Sequence, residues 1–190
     1  MKPRVLLIGC GSIGKRHLRN LKALGVEDLH AFDPRPDRAQ EAAEQTGARP
    51  CMGLAEGLAR KPALALICTP NSLHVQAALS AARADCHLFI EKPLSHSLNG
   101  VAELEEEVRR RGLIALVGCN MRFHPGIALT RRLLQEGVIG RVACARVMAG
   151  SYLPDWHPWE DYRQGYSART DLGGGVILDV TDAEQARIAE

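Results

Sequence analysis

Gly9, Gly11 and Gly14 stand in G-x-G-x-x-G spacing within "VLLIGCGSIGKRH", between an apolar run and a helical pattern. That context gives each glycine its own task. The first permits a tight turn, the second lets backbone approach a pyrophosphate, and the third lets a helix pack closely on a strand. Ser12 and Ile13 open the helix, whose N-terminus offers unpaired N–H groups and a positive dipole end to phosphate. Asp33 closes the next apolar run, 19 residues after Gly14. A carboxylate there accepts hydrogen bonds from both ribose hydroxyls and repels a 2′-phosphate, so the expected cofactor is NAD. Arg35 and Arg38 stand near enough in sequence to soften that preference, and NADP stays open.

More chemistry follows the later apolar runs: Thr69–Pro70–Asn71 after one, Glu91–Lys92–Pro93 after another, Cys119–Asn120 after a third. In open α/β sheets ligands bind outside the carboxyl ends of the strands, so these groups should share one edge with the glycines and Asp33. Thr69, Pro70, Asn71, His74, Glu91 and Lys92 are therefore candidate cofactor contacts. Thr69 and Asn71 read equally well as helix caps, and His74, inside the helix that follows, as a structural histidine. Lys92 taken by itself reads as an exposed lysine paired with Glu91.

The elements that must position these residues are legible as alternating runs. Strands are expected at Val5–Gly9, Leu29–Asp33, Leu64–Cys68, His87–Ile90 and Ile114–Val117, with a weaker one near Arg49–Met52. Helices are expected at Ile13–Leu24, Pro36–Gln45, Ser72–Ala82 and Ser97–Arg111. Short, nearly continuous apolar strands alternating with helices predict an α/β fold, a doubly wound parallel sheet of Rossmann type covered on both faces. Its crossovers should be right-handed. We assign residues 1–120 to this dinucleotide-binding domain. After Gly118 the rhythm changes to a helix from Pro125 to Gly137, a strand Arg141–Ala149, an irregular stretch and a glycine-led terminal helix. Residues 121–190 are expected to form an incomplete α/β second domain for substrate binding and oligomerisation. Unpaired edges on the strand Arg141–Ala149 would favour self-association.

Composition narrows the partners. Of 190 residues, 46% are hydrophobic and 24% charged, which is ordinary for a soluble globular protein. The net charge is only +2 and the basic residues are scattered, so no nucleic-acid partner is expected. The six cysteines form no CxxC pair and several lie in apolar runs, which fits a reducing cytosol and no metal site. No stretch approaches the roughly 20 apolar residues that span a membrane, and the apolar run Val5–Ile8 is too short for a leader. A cytoplasmic protein is expected. Both tryptophans and all three tyrosines fall within Tyr152–Tyr166. They form either a loop anchored by aromatic packing or an apolar face for a sugar ring. In the second case Trp156 stacks while Asp155, Glu160 and Arg163 bond hydroxyls.

The motifs "GCGSIGKRH", "ICTPNSLH", "IEKP", "NMRFHPG" and "GGGVILD" occur in this order at matching distances. Together, across essentially the whole chain, they resemble the Gfo/Idh/MocA oxidoreductases. The resemblance implies a Rossmann domain followed by an α/β domain that holds substrate and mediates homo-oligomerisation of the full-length protein. It implies hydride transfer between a nicotinamide cofactor and a carbinol carbon of a sugar, cyclitol or nucleotide sugar. Lys92 would be the lysine that contacts substrate and assists proton transfer, with a cis bond before Pro93. Asp179 would be the aspartate of the glycine-led segment. Many members carry an acid/base histidine three or four residues after that aspartate; here Asp182 and Ala183 fill those positions, and no histidine follows His157. Members are also longer, so an incomplete chain is expected. The alternatives are a non-catalytic NAD(H)-binding module and an inactive fragment.

Overall fold

Val5–Ile8 form strand β1, four apolar residues that are all buried. A strand without one polar residue has no face to give to water, so it must lie inside a sheet covered on both sides. The computed structural model describes residues 3–148, 155, 161–165 and 168–172. By packing, the chain divides into two units, Met1–Gly150 and Ser151–Glu190.

In the first unit, β1 leads into helix α1 (Ser12–Ala23), then β2 (Leu29–Phe32), α2 (Pro36–Thr46) and β3 (Arg49–Pro50). Helix α3 (Leu54–Ala59) and β4 (Leu64–Ile67) come next. A 3₁₀ turn (Asn71–Leu73), α4 (His74–Arg83), β5 (His87–Ile90), α5 (Val101–Arg111) and β6 (Ala115–Val117) complete the alternation. The six strands are parallel and lie in the order β3-β2-β1-β4-β5-β6. The chain winds outward from β1 to β3, then crosses back to place β4 on the other side of β1. That reversal is the topological switch point, on either side of which the helices after β1 and β4 cover opposite faces of the sheet.

Two apolar clusters cover the sheet. On one face Leu7, Leu18, Leu29, Ala39 and Ala42 join α1 and α2 to β1 and β2. On the other Ile8, Ile67, Ala78, Leu88 and Leu104 join α4 and α5 to β1, β4 and β5. Leu18 has no exposed surface, and burying a leucine stabilises by about 1.5–3 kcal/mol.

The sequence expectations hold for the sheet, with strand ends moved by a residue or two. Helix α5 starts four residues later than expected, at Val101, because Gly100 at its N-cap is left-handed with φ of 76°. Helix α3 went unread. Its six residues are too few to display a period, and Gly57 seats it against Leu6. After β6 come a 3₁₀ turn (Asn120–Phe123) and helix α6 (Pro125–Gln135). His124 Nδ1 accepts from Gly126 N at 3.2 Å to cap α6, and Pro125 takes the first helical position. The strand expected at Arg141–Ala149 is not formed: residues 141–148 adopt neither helix nor strand. Alternating side chains supply a face, but a strand also needs a neighbour's N–H and C=O ladder. Among the described residues none runs beside this segment. The described residues of the second unit include a 3₁₀ turn at Thr170–Leu172.

Candidate functional site

The glycine turn is built by contacts that only glycine permits. Gly9 has φ of +100°, and a Cβ there would lie 2.5 Å from the Cys68 carbonyl oxygen, so the loops leaving β1 and β4 touch. At Gly14 a Cβ would lie 2.1 Å from Gly9 O, which is how α1 packs onto the turn. Gly11 differs: a Cβ there would meet nothing within 4 Å. Its lack of a side chain serves no internal packing and leaves backbone open to an approaching group. Gly11 is also the N-cap of α1 and makes no side-chain cap. The first-turn N–H groups of Ser12 and Ile13 thus stand without a side-chain acceptor at that position, and the first turn carries no acidic residue. A pyrophosphate fits this cradle.

Asp33 lies at the end of β2, 9% exposed. Its Oδ2 accepts from Cys10 N at 2.8 Å and its Oδ1 from Arg35 N at 2.9 Å. Two backbone donors therefore fix the carboxylate beside the glycine turn. The Arg35 guanidinium is turned to Asp37, Nη2 to Oδ2 at 2.5 Å. Next to Asp33 opens a cavity of about 580 Å³, lined by Pro34, Pro36, Gln40, Cys51, Met52 and other residues of this corner. An adenine and its ribose are of a size and polarity to sit there.

Beyond β4, Thr69 Oγ1 is buried and has no hydrogen-bond partner. At the two helix starts that follow, the N-caps are Pro70 and Leu73, and neither bonds through a side chain. Asn71 is 9% exposed. A buried hydroxyl left unpaired at the mouth of the crevice has the chemistry of a ligand contact.

Beyond β5, Glu91 Oε1 accepts from His17 Nε2 at 2.7 Å, and Glu91 Oε2 accepts from Lys92 N at 3.2 Å. Burial pushes the Glu91 carboxyl up, but the hydrogen bond and charge of His17 outweigh that and hold it below the ordinary glutamate range. Glu91 is thus engaged by His17 and by a peptide N–H. Lys92 is exposed, and among the described residues its ammonium makes no ion pair. The Lys92–Pro93 bond is cis. His74 is 1% exposed, with Nδ1 2.8 Å from Pro93 O and Nε2 2.8 Å from Thr69 O. It touches both loops through backbone and serves neither alternative in simple form.

Gly9, Gly11, Ser12, Ile13, Gly14, Asp33, Thr69, Pro70, Asn71, Glu91 and Lys92 all follow strands along the carboxyl edge of one sheet. Arg163 belongs to the second unit, where it is exposed and stacks 5.6 Å over the Tyr162 ring. Asp155 is also exposed. Trp156, Glu160 and Asp179 lie outside the described residues. Sequence reading missed His17, which holds Glu91 and meets Phe89 edge-on at 5.1 Å. The signal was its place three residues after Gly14, on the helix face that packs toward the sheet.

Among the described residues no helix is long and apolar enough to cross a membrane. The family model for oxidoreductases of NAD-binding Rossmann fold, Gfo/Idh/MocA, matches residues 3–119. Myo-inositol 2-dehydrogenase of Thermotoga maritima is 31% identical over 189 residues, 97% of this chain and 54% of the relative. The 1,5-anhydro-D-fructose reductase of Ensifer adhaerens is 30% identical over 187 residues, 95% of this chain and 54% of that protein. The chain spans about half the length of these curated relatives. Among solved structures, the WlbA dehydrogenase of Bordetella pertussis, in complex with NADH and UDP-GlcNAcA, superposes with a TM-score of 0.70. It is 29% identical, and the match covers 74% of this chain and 43% of that one. The glycine cradle, the fixed Asp33 and the matched residues together place the chain in the Gfo/Idh/MocA oxidoreductases, a family of NAD-binding Rossmann fold.

Proposed function

We propose that this chain carries the cofactor half of an NAD-dependent oxidoreductase acting on a carbinol of a sugar, cyclitol or nucleotide sugar. The observation that carries the reading is the convergence of Gly11's open backbone, Asp33's fixed carboxylate and Lys92 on one sheet edge. Residues 1–120 would bind cofactor, and 121–190 would begin the substrate and oligomerisation domain. NAD, when bound, supplies the hydride acceptor. The α1 N-terminus and Gly11 hold the pyrophosphate, and Asp33 accepts from ribose hydroxyls and repels a 2′-phosphate. Thr69, Pro70, Asn71 and Glu91 line the crevice toward the reacting end.

The carbinol must lose its hydroxyl proton as hydride leaves. The Lys92 amine takes that proton in oxidation, and its ammonium returns it in reduction. Asp179, Trp156 and Arg163 are proposed substrate-side groups. The relatives named above act on a cyclitol and an anhydro-sugar, and WlbA binds a nucleotide sugar, which supports this substrate class. The test is NADH titration of this chain by fluorescence, then NAD reduction with cyclitols, sugars and nucleotide sugars by the chain and its Lys92→Ala variant, each joined to a complete substrate domain. Binding with turnover that Lys92→Ala abolishes is the expected result. A second reading, a non-catalytic NAD(H)-binding module, is favoured by Asp182 and Ala183 where many members have histidine. NADH binding without turnover of any substrate would select it. A chain that binds no NADH would overturn both.

A further inference from the structure

Among the described residues the Lys92 ammonium makes no ion pair or hydrogen bond, yet backbone groups to either side of it are tied down. On the N-terminal side Glu91 Oε1 accepts from His17 Nε2 at 2.7 Å, while Glu91 Oε2 accepts from Lys92's own N–H at 3.2 Å. On the C-terminal side the Pro93 carbonyl oxygen lies 2.8 Å from His74 Nδ1. The far nitrogen of the same ring lies 2.8 Å from the Thr69 carbonyl oxygen. His17 stands on α1, one turn beyond Gly14. His74 opens α4, just after the 3₁₀ turn Asn71–Leu73. Two histidines from different elements thus reach the same tripeptide from opposite sides of Lys92.

The chemistry of these contacts is directional. A carbonyl oxygen accepts and never donates, so the bond to Pro93 requires a proton on His74 Nδ1. A neutral imidazole donates from one nitrogen only, and satisfying Thr69 as well requires the doubly protonated ring. His74 is 1% exposed, so water cannot substitute for a lost partner, and an unmade bond there costs the full desolvation of the group. Lysine has a flexible four-carbon stem. Where its amine points is decided first by how firmly its own peptide is held. We infer that His17 and His74 are a pair of positioning residues that clamp Lys92 by its two neighbouring residues. One links it to the phosphate-binding helix and the other to the loop at Thr69. The inference rests on the reading of Lys92 as the proton-transfer group, and gives it two supports that belong to the cofactor loops.

Isosteric amides separate the clamp from mere packing. The Asn amide nitrogen falls where His Nδ1 lies, and that of Gln where His Nε2 lies. His74→Asn therefore keeps the Pro93 bond, His74→Gln keeps only the Thr69 bond, and His17→Gln keeps the Glu91 bond that His17→Leu removes. The chain has five lysines, so reductive methylation with isotope-labelled formaldehyde gives a small set of NMR signals, with Lys92 assigned by Lys92→Arg. The expected result is a Lys92 signal left in place by His74→Asn and His17→Gln, and shifted and broadened by His74→Gln and His17→Leu. A Lys92 signal that responds equally to both His74 variants, or to none of the four, overturns the clamp and leaves the histidines as packing. Should His74→Gln fail to fold, NMR of isotope-labelled histidine in the unaltered chain decides. A proton on His74 Nδ1 supports the clamp, and its absence overturns it. NAD-dependent turnover that survived in Lys92→Ala would sink the catalytic role of Lys92 while leaving these NMR outcomes as they stand.

Discussion

Asp33 accepts one backbone N–H on each carboxylate oxygen, from Cys10 and from Arg35, and each oxygen keeps a second lone-pair site for a hydroxyl. Removing it should weaken NADH binding by roughly tenfold or more, the worth of a charge-assisted hydrogen bond. Binding of NADPH should suffer less, because the repulsion of a 2′-phosphate goes with the carboxylate. Parallel fluorescence titrations of Asp33→Ala with both cofactors check this, and an unchanged preference would refute it. Glu91 makes a pH prediction. Its folded-state pKa is lowered by His17 against the upward push of burial. The stability it contributes is therefore complete above the unfolded glutamate value of about 4.3 and lost as pH falls through the lower folded value. The wild type should melt above Glu91→Gln at neutral pH, with the gap closing in that acid window. A gap that stayed constant into acid would show that the His17–Glu91 bond is not the cause.

At the scale of elements, the strand-turn-helix unit β1–α1 separates two kinds of glycine. Gly14→Ala forces a methyl to within 2.1 Å of Gly9 O and 3.1 Å of a Leu7 side-chain carbon. The near atom is backbone in the middle of the turn and cannot swing aside, so the fold should lose roughly 1–3 kcal/mol, as overpacked sites do. Gly11→Ala puts its methyl in open space, at φ of −67°, a value alanine adopts freely. Its melting should change by less than about 0.5 kcal/mol, while NADH affinity falls because the methyl stands where pyrophosphate must approach. Thermal melts paired with NADH titrations distinguish them. Equal loss of stability in both variants would mean that Gly11 is a packing glycine after all.

For the whole molecule, burial sorts the six thiols. Cys10, Cys51, Cys68 and Cys86 are buried, whereas Cys119 and Cys144 are exposed. Burial first, then the charge of Asp33, pushes Cys10 up to about 12. Burial, with a smaller push from Asp85, takes Cys86 to about 11. The Cys51 and Cys68 thiols are also raised, chiefly by burial. The thiolate is the reactive form, so a disulfide reagent should titrate two thiols quickly in the folded chain and all six after denaturation. Fast reaction of a third would place one of the four core cysteines at the surface. From β6 to residue 148, Leu116, Phe123, Ile127, Leu129, Val138 and Ile139 are all at least 44% exposed. Apolar surface of that extent favours association, and light scattering should show species larger than a monomer. A monodisperse monomer would contradict it.

The amino-acid sequence by itself determined what is local in the chain. Runs such as "VLLI" and "LALI" specify buried parallel strands because no residue in them tolerates water on either face. The spacing of Gly9, Gly11 and Gly14, with Asp33 beyond them, specifies a turn and an acceptor whose roles depend on covalent neighbours and one strand pairing. Helix α6 was equally legible from Pro125 and the turn that ends it. Tertiary structure alone decided what meets Lys92. His17 and Glu91 are 74 residues apart and His74 and Pro93 are 19 apart. They come together because the sheet order sets β1, β4 and β5 side by side, so that the loops after them share one edge. The same cause works in reverse at residues 141–148. Their alternation reads as a strand, but a strand exists only where another backbone offers its hydrogen bonds, and that is a property of the fold rather than of the segment.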